Sequence, residues 1–160
     1  MSREQLTGPF TGVSLTSSNT VKQMDLGTVA WDNVGNAFRY VLNNLSDNVA
    51  IADGTCVYGT TVWGAVSPDF AGGQGITTNV VGVGISAIAA GSYGWVQISG
   101  YHDKVKTDGA VAAADFLVGH SVNGEADTMA DGEEEQVFGI ALAADTATEP
   151  HAAAASIRCL

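Results

Sequence analysis

Positive charge is scarce in this chain. Arg3, Lys22, Arg39, Lys104, Lys106 and Arg158 are its only Lys and Arg residues, set against 17 acids for a net charge of −11 over 160 residues. They form no cluster, which disfavours a surface that neutralises a phosphate backbone, and nucleic acid is not an expected partner. The acidity has a plain reading as solubility and a sharper one as complementarity to a basic partner, or as repulsion between crowded copies. Cysteine is nearly absent as well. Cys56 and Cys159 form no CxxC and, with no secretory signal to favour a disulfide, are expected as buried small hydrophobes. Long apolar runs are missing, and the segment MSREQLTGPF has no apolar signal-peptide core. The expectation is a soluble protein made in a cytoplasm, with no membrane partner.

What the chain does have is glycine (20 residues), alanine, valine and threonine, with 46% apolar and 14% charged residues. Leucine is scarce. That composition suits strands and tight turns better than helices. Strand-like runs fall at Cys56–Tyr58, Thr61–Val66, Val80–Ser86, Trp95–Ser99, Phe116–Val118, Gln136–Leu142 and Ala154–Cys159. Turn signals separate them, among them Asp53-Gly54, Asp108-Gly109, Asn123-Gly124 and Asp131-Gly132. The expected fold is all-β: a compact β-barrel or sandwich of short antiparallel strands with an extended N-terminal arm. The arm is residues 1–25 and the single β-barrel-like domain is 26–160. For the arm two readings stay open, a disordered tail or a segment ordering on a neighbouring molecule through Phe10, Val13 and Leu15. Trp31–Leu45 is ambiguous between a helical face and a hairpin. Gly35 and the β-favouring Phe38-Arg39-Tyr40-Val41 support the hairpin, with strands Gly27–Trp31 and Ala37–Leu42 around a turn at 32–36. Three Ala-rich segments, Val49–Gly54, Ile88–Gly91 and Val111–Asp115, each place a compact turn before a β-run.

Asn79–Gly100 carries two β-type runs with glycine inside the first. Side chains alternate across a strand, so Val81, Val83 and Ile85 share one face and Gly82 and Gly84 the other. On the return, Val96 and Ile98 oppose a face of Tyr93, Trp95 and Gln97. Aligning the two aliphatic faces sets Gly82 and Gly84 beneath Tyr93 and Trp95, whose rings then cover the bare backbone.

Catalytic chemistry is not visible. The acidic tract Gly124–Gln136 fails as an EF-hand, because Met129 takes a ligand position and Phe138 falls where the bidentate Glu belongs. It reads as a solvated acidic loop. Gly82–Ala87 imitates a dinucleotide fingerprint but lacks the crossover helix. His102, His120 and His151 are scattered without a ligand spacing, and His102-Asp103 reads as an exposed turn. No serine lies in G-x-S-x-G. No catalytic residue, metal site or cofactor is therefore expected.

Several stretches in order resemble the capsid decoration, or cement, proteins of tailed bacteriophages. They are Leu26-Gly27-Thr28 before the aromatic hairpin ending Phe38-Arg39-Tyr40-Val41, then Val81-Gly82-Val83, then Ala89–Gly100 (AAGSYGWVQISG, the most specific piece). Val105–Ala112, Phe138–Ala141 and Ala155–Leu160 follow. The resemblance implies a β-barrel-like domain on the outer surface of the virion head, a homotrimer bound to the major capsid protein and cementing adjacent capsomers. It implies no catalytic residues. An alternative is a tail, fibre or head-projection protein that contacts host glycans through exposed aromatics Tyr58, Trp63 and Tyr101. A small β-barrel hydrolase or metal enzyme is the third reading, and it needs a site the sequence does not display.

Overall fold

A computed structural model describes residues 6–7, 14–44, 48–60, 63–68, 79–120, 124–145 and 151–159. It is built of eleven strands: β1 (Leu6–Thr7), β2 (Val29–Asp32), β3 (Ala37–Asn43), β4 (Cys56–Gly59), β5 (Ala65–Ser67), β6 (Val80–Gly84), β7 (Tyr93–Lys106), β8 (Phe116–Gly119), β9 (Ala126–Thr128), β10 (Gly139–Ala141) and β11 (Ala152–Arg158). The described residues contain no α-helix, only a 3-10 turn at Glu134–Gln136. The fold is all-β, as expected.

The hydrogen-bonded order is β1-β2-β3-β5-β4-β6-β7-β11-β10-β8-β9, and β3 also pairs with β7. That extra pairing closes β3, β5, β4, β6 and β7 into a five-stranded barrel with outer strands on both sides. All barrel pairings are antiparallel except β3 with β5. Closure removes the free edges that would otherwise recruit a stray strand.

The β2–β3 hairpin forms where the turn residues place it. Asp32 Oδ1 accepts hydrogen bonds from the backbone N–H of Val34 (3.0 Å) and Asn36 (2.9 Å), and Oδ2 accepts one from the Asn36 amide (2.7 Å). Gly35 takes φ +91°, a conformation side chains resist. Two of the three Ala-rich segments meet directly, since Ile51 and Ile88 form an isolated antiparallel bridge.

β7 runs 14 residues and belongs to both the barrel and the outer strands. Its first half pairs with β3 and β6, its second half with β11. The change falls at Gly100, whose φ is +103° and whose missing side chain leaves room for Asn36. Asn36 Oδ1 then accepts the Tyr101 N–H at 2.9 Å. Beyond this bend, β11, β10, β8 and β9 curl back until Ala126 meets Thr107 in a parallel bridge.

The packing faces differ from expectation at the Asn79–Gly100 hairpin. The register pairs Val83 with Gln97 and Gly84 with Val96, one residue away from aligned aliphatic faces. Gly82 and Gly84 therefore do not lie beneath Tyr93 and Trp95. A Cβ on Gly82 would stand 2.6 Å from Val96 Cγ2, and one on Gly84 would strike the Ala52 carbonyl oxygen. The glycines make room for a branched side chain and for a crossing backbone. Trp95 packs elsewhere, directly opposite Tyr40 on β3, in a cluster with Leu15, Ala30, Phe38 and Ile85. Tyr93 stacks on Tyr40 from the other side, centroids 6.2 Å apart.

The segment before β2 covers this cluster. Leu15 is 1% exposed, Met24 and Leu26 pack against the same group, Asn19 bridges Tyr93, and β1 pairs with β2. Leu15 is thus a core residue of its own chain, and its apolar side chain is not free to anchor a neighbour. Phe10 and Val13 lie outside the described residues. The larger cluster includes Val41, Val57, Val83, Val96, Leu117, Phe138 and Ile157 and runs continuously from the barrel under the outer sheet.

Candidate functional site

The sheet beyond Gly100 has one buried and one open face. Along β11, Ala153, Ala155 and Ile157 are buried while Ser156 and Arg158 are exposed, the alternation of a sheet covering a core on one side. Register then places the outward residues in line: Tyr101 opposite Ser156, Ser156 opposite Ile140, and Ile140 opposite Phe116. Directly paired residues of antiparallel strands project to the same side. The result is a row across four strands, roughly 14 Å wide at the usual strand spacing, in which Tyr101 (54%), Ile140 (40%) and Phe116 (48%) are open to solvent. Leu142, two residues past Ile140 and held by its N–H to the Ala154 carbonyl (2.7 Å), extends the apolar surface. Half of the exposed large hydrophobics among the described residues lie on this one face, an apolar patch of the kind that interaction surfaces carry. Beside it, Ala114, Asp115, Phe116, Thr128 and Met129 line an open depression of about 320 Å³. Trp31 and Trp63 are exposed elsewhere, Trp63 beside Gly27.

The aromatics expected as a glycan platform do not share a surface role. Tyr58 is fully buried; its hydroxyl donates to the His120 carbonyl at 3.0 Å, and burial pushes its pKa well above the ordinary tyrosine range. Trp63 and Tyr101 remain exposed. His102 is also not in an exposed turn. It is fully buried on β7, and the Lys104 N–H donates to its Nδ1 (3.2 Å). The proton therefore sits on Nε2, which donates to the Gly84 carbonyl at 3.0 Å. This ring ties the second half of β7 to β6.

The two cysteines are free and buried, as expected. Burial pushes the Cys159 thiol up to about 12, with nearby Arg39 acting weakly the other way. Burial likewise drives the Cys56 thiol well above its ordinary value; the neighbouring Cys159 and Glu125 add to the rise and Lys106 opposes it.

Asp108, His120 and Asp127 come together although nothing in their spacing announces it. Asp108 follows β7, His120 follows β8, and Asp127 lies on β9. His120 Nε2 stands 3.1 Å from Asp108 Oδ2 and 4.0 Å from Asp127 Oδ2. The acidic tract is correspondingly not one solvated loop: Ala126–Thr128 forms a strand and Glu134–Gln136 a 3-10 turn.

No protein-family model matches the chain, and no curated protein matches it. Solved structures supply a likeness of fold. The fold is similar to that of the N base of the head fibre gp8.5 of bacteriophage phi29. The two superpose with a TM-score of 0.51 at 13% identity, over 75% of this chain and 92% of the phage chain. At that identity the likeness is one of fold, and it covers nearly the whole of the phi29 base domain.

Proposed function

We propose that the chain is a structural, non-enzymatic protein of a tailed-phage head, bound to the head's outer surface and cementing adjacent capsomers. The observation that carries this reading is the fold it has in common with the phi29 head fibre base. The order of short sequence stretches resembling cement proteins supports the same assignment. The apolar row Tyr101–Ile140–Phe116 supplies a surface of the kind that such binding needs. A modest patch suffices on a lattice, because several copies presented together, as in a homotrimer, add avidity to a weak single contact. The partner on this reading is the major capsid protein.

The test is to mix purified protein with mature and immature heads lacking it, and to follow co-sedimentation. Binding to mature heads, with raised resistance to thermal rupture, is the expected result. Failure to bind mature heads overturns the proposal. Cryo-electron microscopy of decorated heads then locates the bound copies.

A second reading is favoured by the structural neighbour being the base of a head fibre: a head projection rather than a cement. On this reading the protein would bind heads but leave their thermal rupture unchanged. Exposed Trp63 and Tyr101 would then be free for host glycans, which a glycan-binding screen detects.

A further inference from the structure

We propose that Asp108, His120 and Asp127 form a binding site for a divalent transition-metal cation of the zinc class, placed where the outer sheet closes on itself. One imidazole nitrogen and two carboxylate oxygens come together, the three donor atoms all within 4.8 Å of one another. Metal–ligand distances near 2.0–2.1 Å put the donors of a tetrahedral zinc site roughly 3.3 Å apart. The observed separations of 3.1 and 4.0 Å from His120 Nε2 bracket that value, and the two partly exposed aspartates need only small rotations to reach it. A mixed nitrogen and oxygen set suits zinc-class ions better than calcium or magnesium, which take oxygen throughout.

The three ligands come from three different segments, and each is fixed from outside the cluster. The Asp108 N–H donates to the Ala126 carbonyl at 2.9 Å, beside the Thr107–Ala126 bridge. The His120 N–H donates to the Glu125 carbonyl at 3.0 Å, and the His120 carbonyl receives the Tyr58 hydroxyl from the barrel. Asp127 lies opposite Val118 in the β8–β9 ladder, and its Oδ1 accepts the Thr128 N–H at 2.6 Å, which leaves Oδ2 to face His120. The backbone contacts fix where Asp108 and His120 sit, and the Thr128 N–H orients the Asp127 carboxylate itself before an ion arrives. A bound cation would staple the exit of β7 to the β8–β9 hairpin and so lock the outer sheet closed. Three protein ligands leave a fourth position for water or for a group from a binding partner.

The experiment uses the full chain, stripped with chelator and titrated with zinc chloride by calorimetry and by thermal melting, with calcium chloride in parallel. The expected result is one zinc ion bound per chain with a raised melting temperature, and no comparable effect of calcium. His120→Gln and Asp127→Asn should each weaken zinc binding at least tenfold, while His151→Gln leaves it unchanged. Calorimetry is read only on variants whose circular dichroism matches the parent. The proposal is overturned if zinc gives no saturable 1:1 binding, in which case the cluster is only an Asp–His–Asp ion-pair network. Binding that survives His120→Gln, or that is lost in His151→Gln, overturns it equally.

Discussion

Tyr40 and Trp95 face each other across the β3–β7 ladder, ring centroids 5.3 Å apart and planes inclined at 64°. This edge-to-face pair sits at the seam that closes the barrel, and the segment carrying Leu15 covers it. Aromatic pairs in this geometry contribute about 0.5–1.5 kcal/mol beyond the area they bury. Trp95→Ala should therefore destabilise the fold by about 3–5 kcal/mol. At about 3 °C per kcal/mol for a chain of this length, the melting point should fall by roughly 10 °C. Trp95→Phe should cost less, because the indole N–H is buried with no hydrogen-bond partner and its removal forfeits none. Equal losses for the two variants would show that the ring contact is not what matters.

The pairing of Gly84 with Val96 makes a second prediction. Gly82→Ala alone should destabilise, since its methyl would press on Val96 Cγ2. Val96→Ala alone should also destabilise, through the cavity it leaves. Together they should cost less than their sum by about 1 kcal/mol, the new methyl filling part of the lost volume. Additive losses in a denaturation double-mutant cycle would argue for the alternative register, in which Gly82 lies under the aromatic face.

The all-β class and the β2–β3 hairpin were legible because their signals are local: alternation, Asp32 before the turn, and Gly35 at positive φ. The register of β6 on β7 was not, because it is set by residues far away in sequence. Trp95 is claimed by Tyr40, and Gly84 is pressed by Ala52. Gly100 reads as a strand end, yet β7 passes through it, since a glycine at φ +103° bends a strand as readily as it ends one. The same nonlocality hid the burial of Tyr58 and His102. It also hid the meeting of Asp108, His120 and Asp127, which follow or lie on three different strands and share no sequence motif. The exposed apolar row was invisible for a further reason: Tyr101, Ile140 and Phe116 become neighbours only once the order β7-β11-β10-β8 is known.

The thiols give a pH prediction with a definite sign. An unfolded cysteine ionises near 8.5, whereas Cys159 in the fold holds its proton up to about 12 and Cys56 is raised in the same direction. Below the unfolded value both states are protonated and the contribution to stability is whole. As pH rises from there toward about 12, only the unfolded chain releases the protons, so stability falls. Melting temperature should decline across this alkaline window, and Cys159→Ala should flatten the decline. Native protein at pH 8 should also resist a thiol-specific disulfide reagent, with both cysteines reacting once denaturant is added. Rapid labelling of the native state would contradict the burial of the two side chains.

The exposed row separates binding from folding. Ile140→Lys and Phe116→Ser alter side chains about half open to solvent, and surface changes of this sort usually move stability by no more than about 0.5 kcal/mol. If the row docks on the capsid, its aromatic and aliphatic centre should carry much of the contact energy. Each substitution should then weaken head binding at least about tenfold, or about 1.4 kcal/mol. Val21→Ser, on an exposed residue outside the row, serves as the control and should bind as the parent does. Trp95→Ala should show the opposite pattern, a lower melting point with binding retained at temperatures where the protein stays folded. Full head binding by the Ile140→Lys and Phe116→Ser double variant would remove this face from the interface and direct attention to the Trp31 and Trp63 surfaces instead.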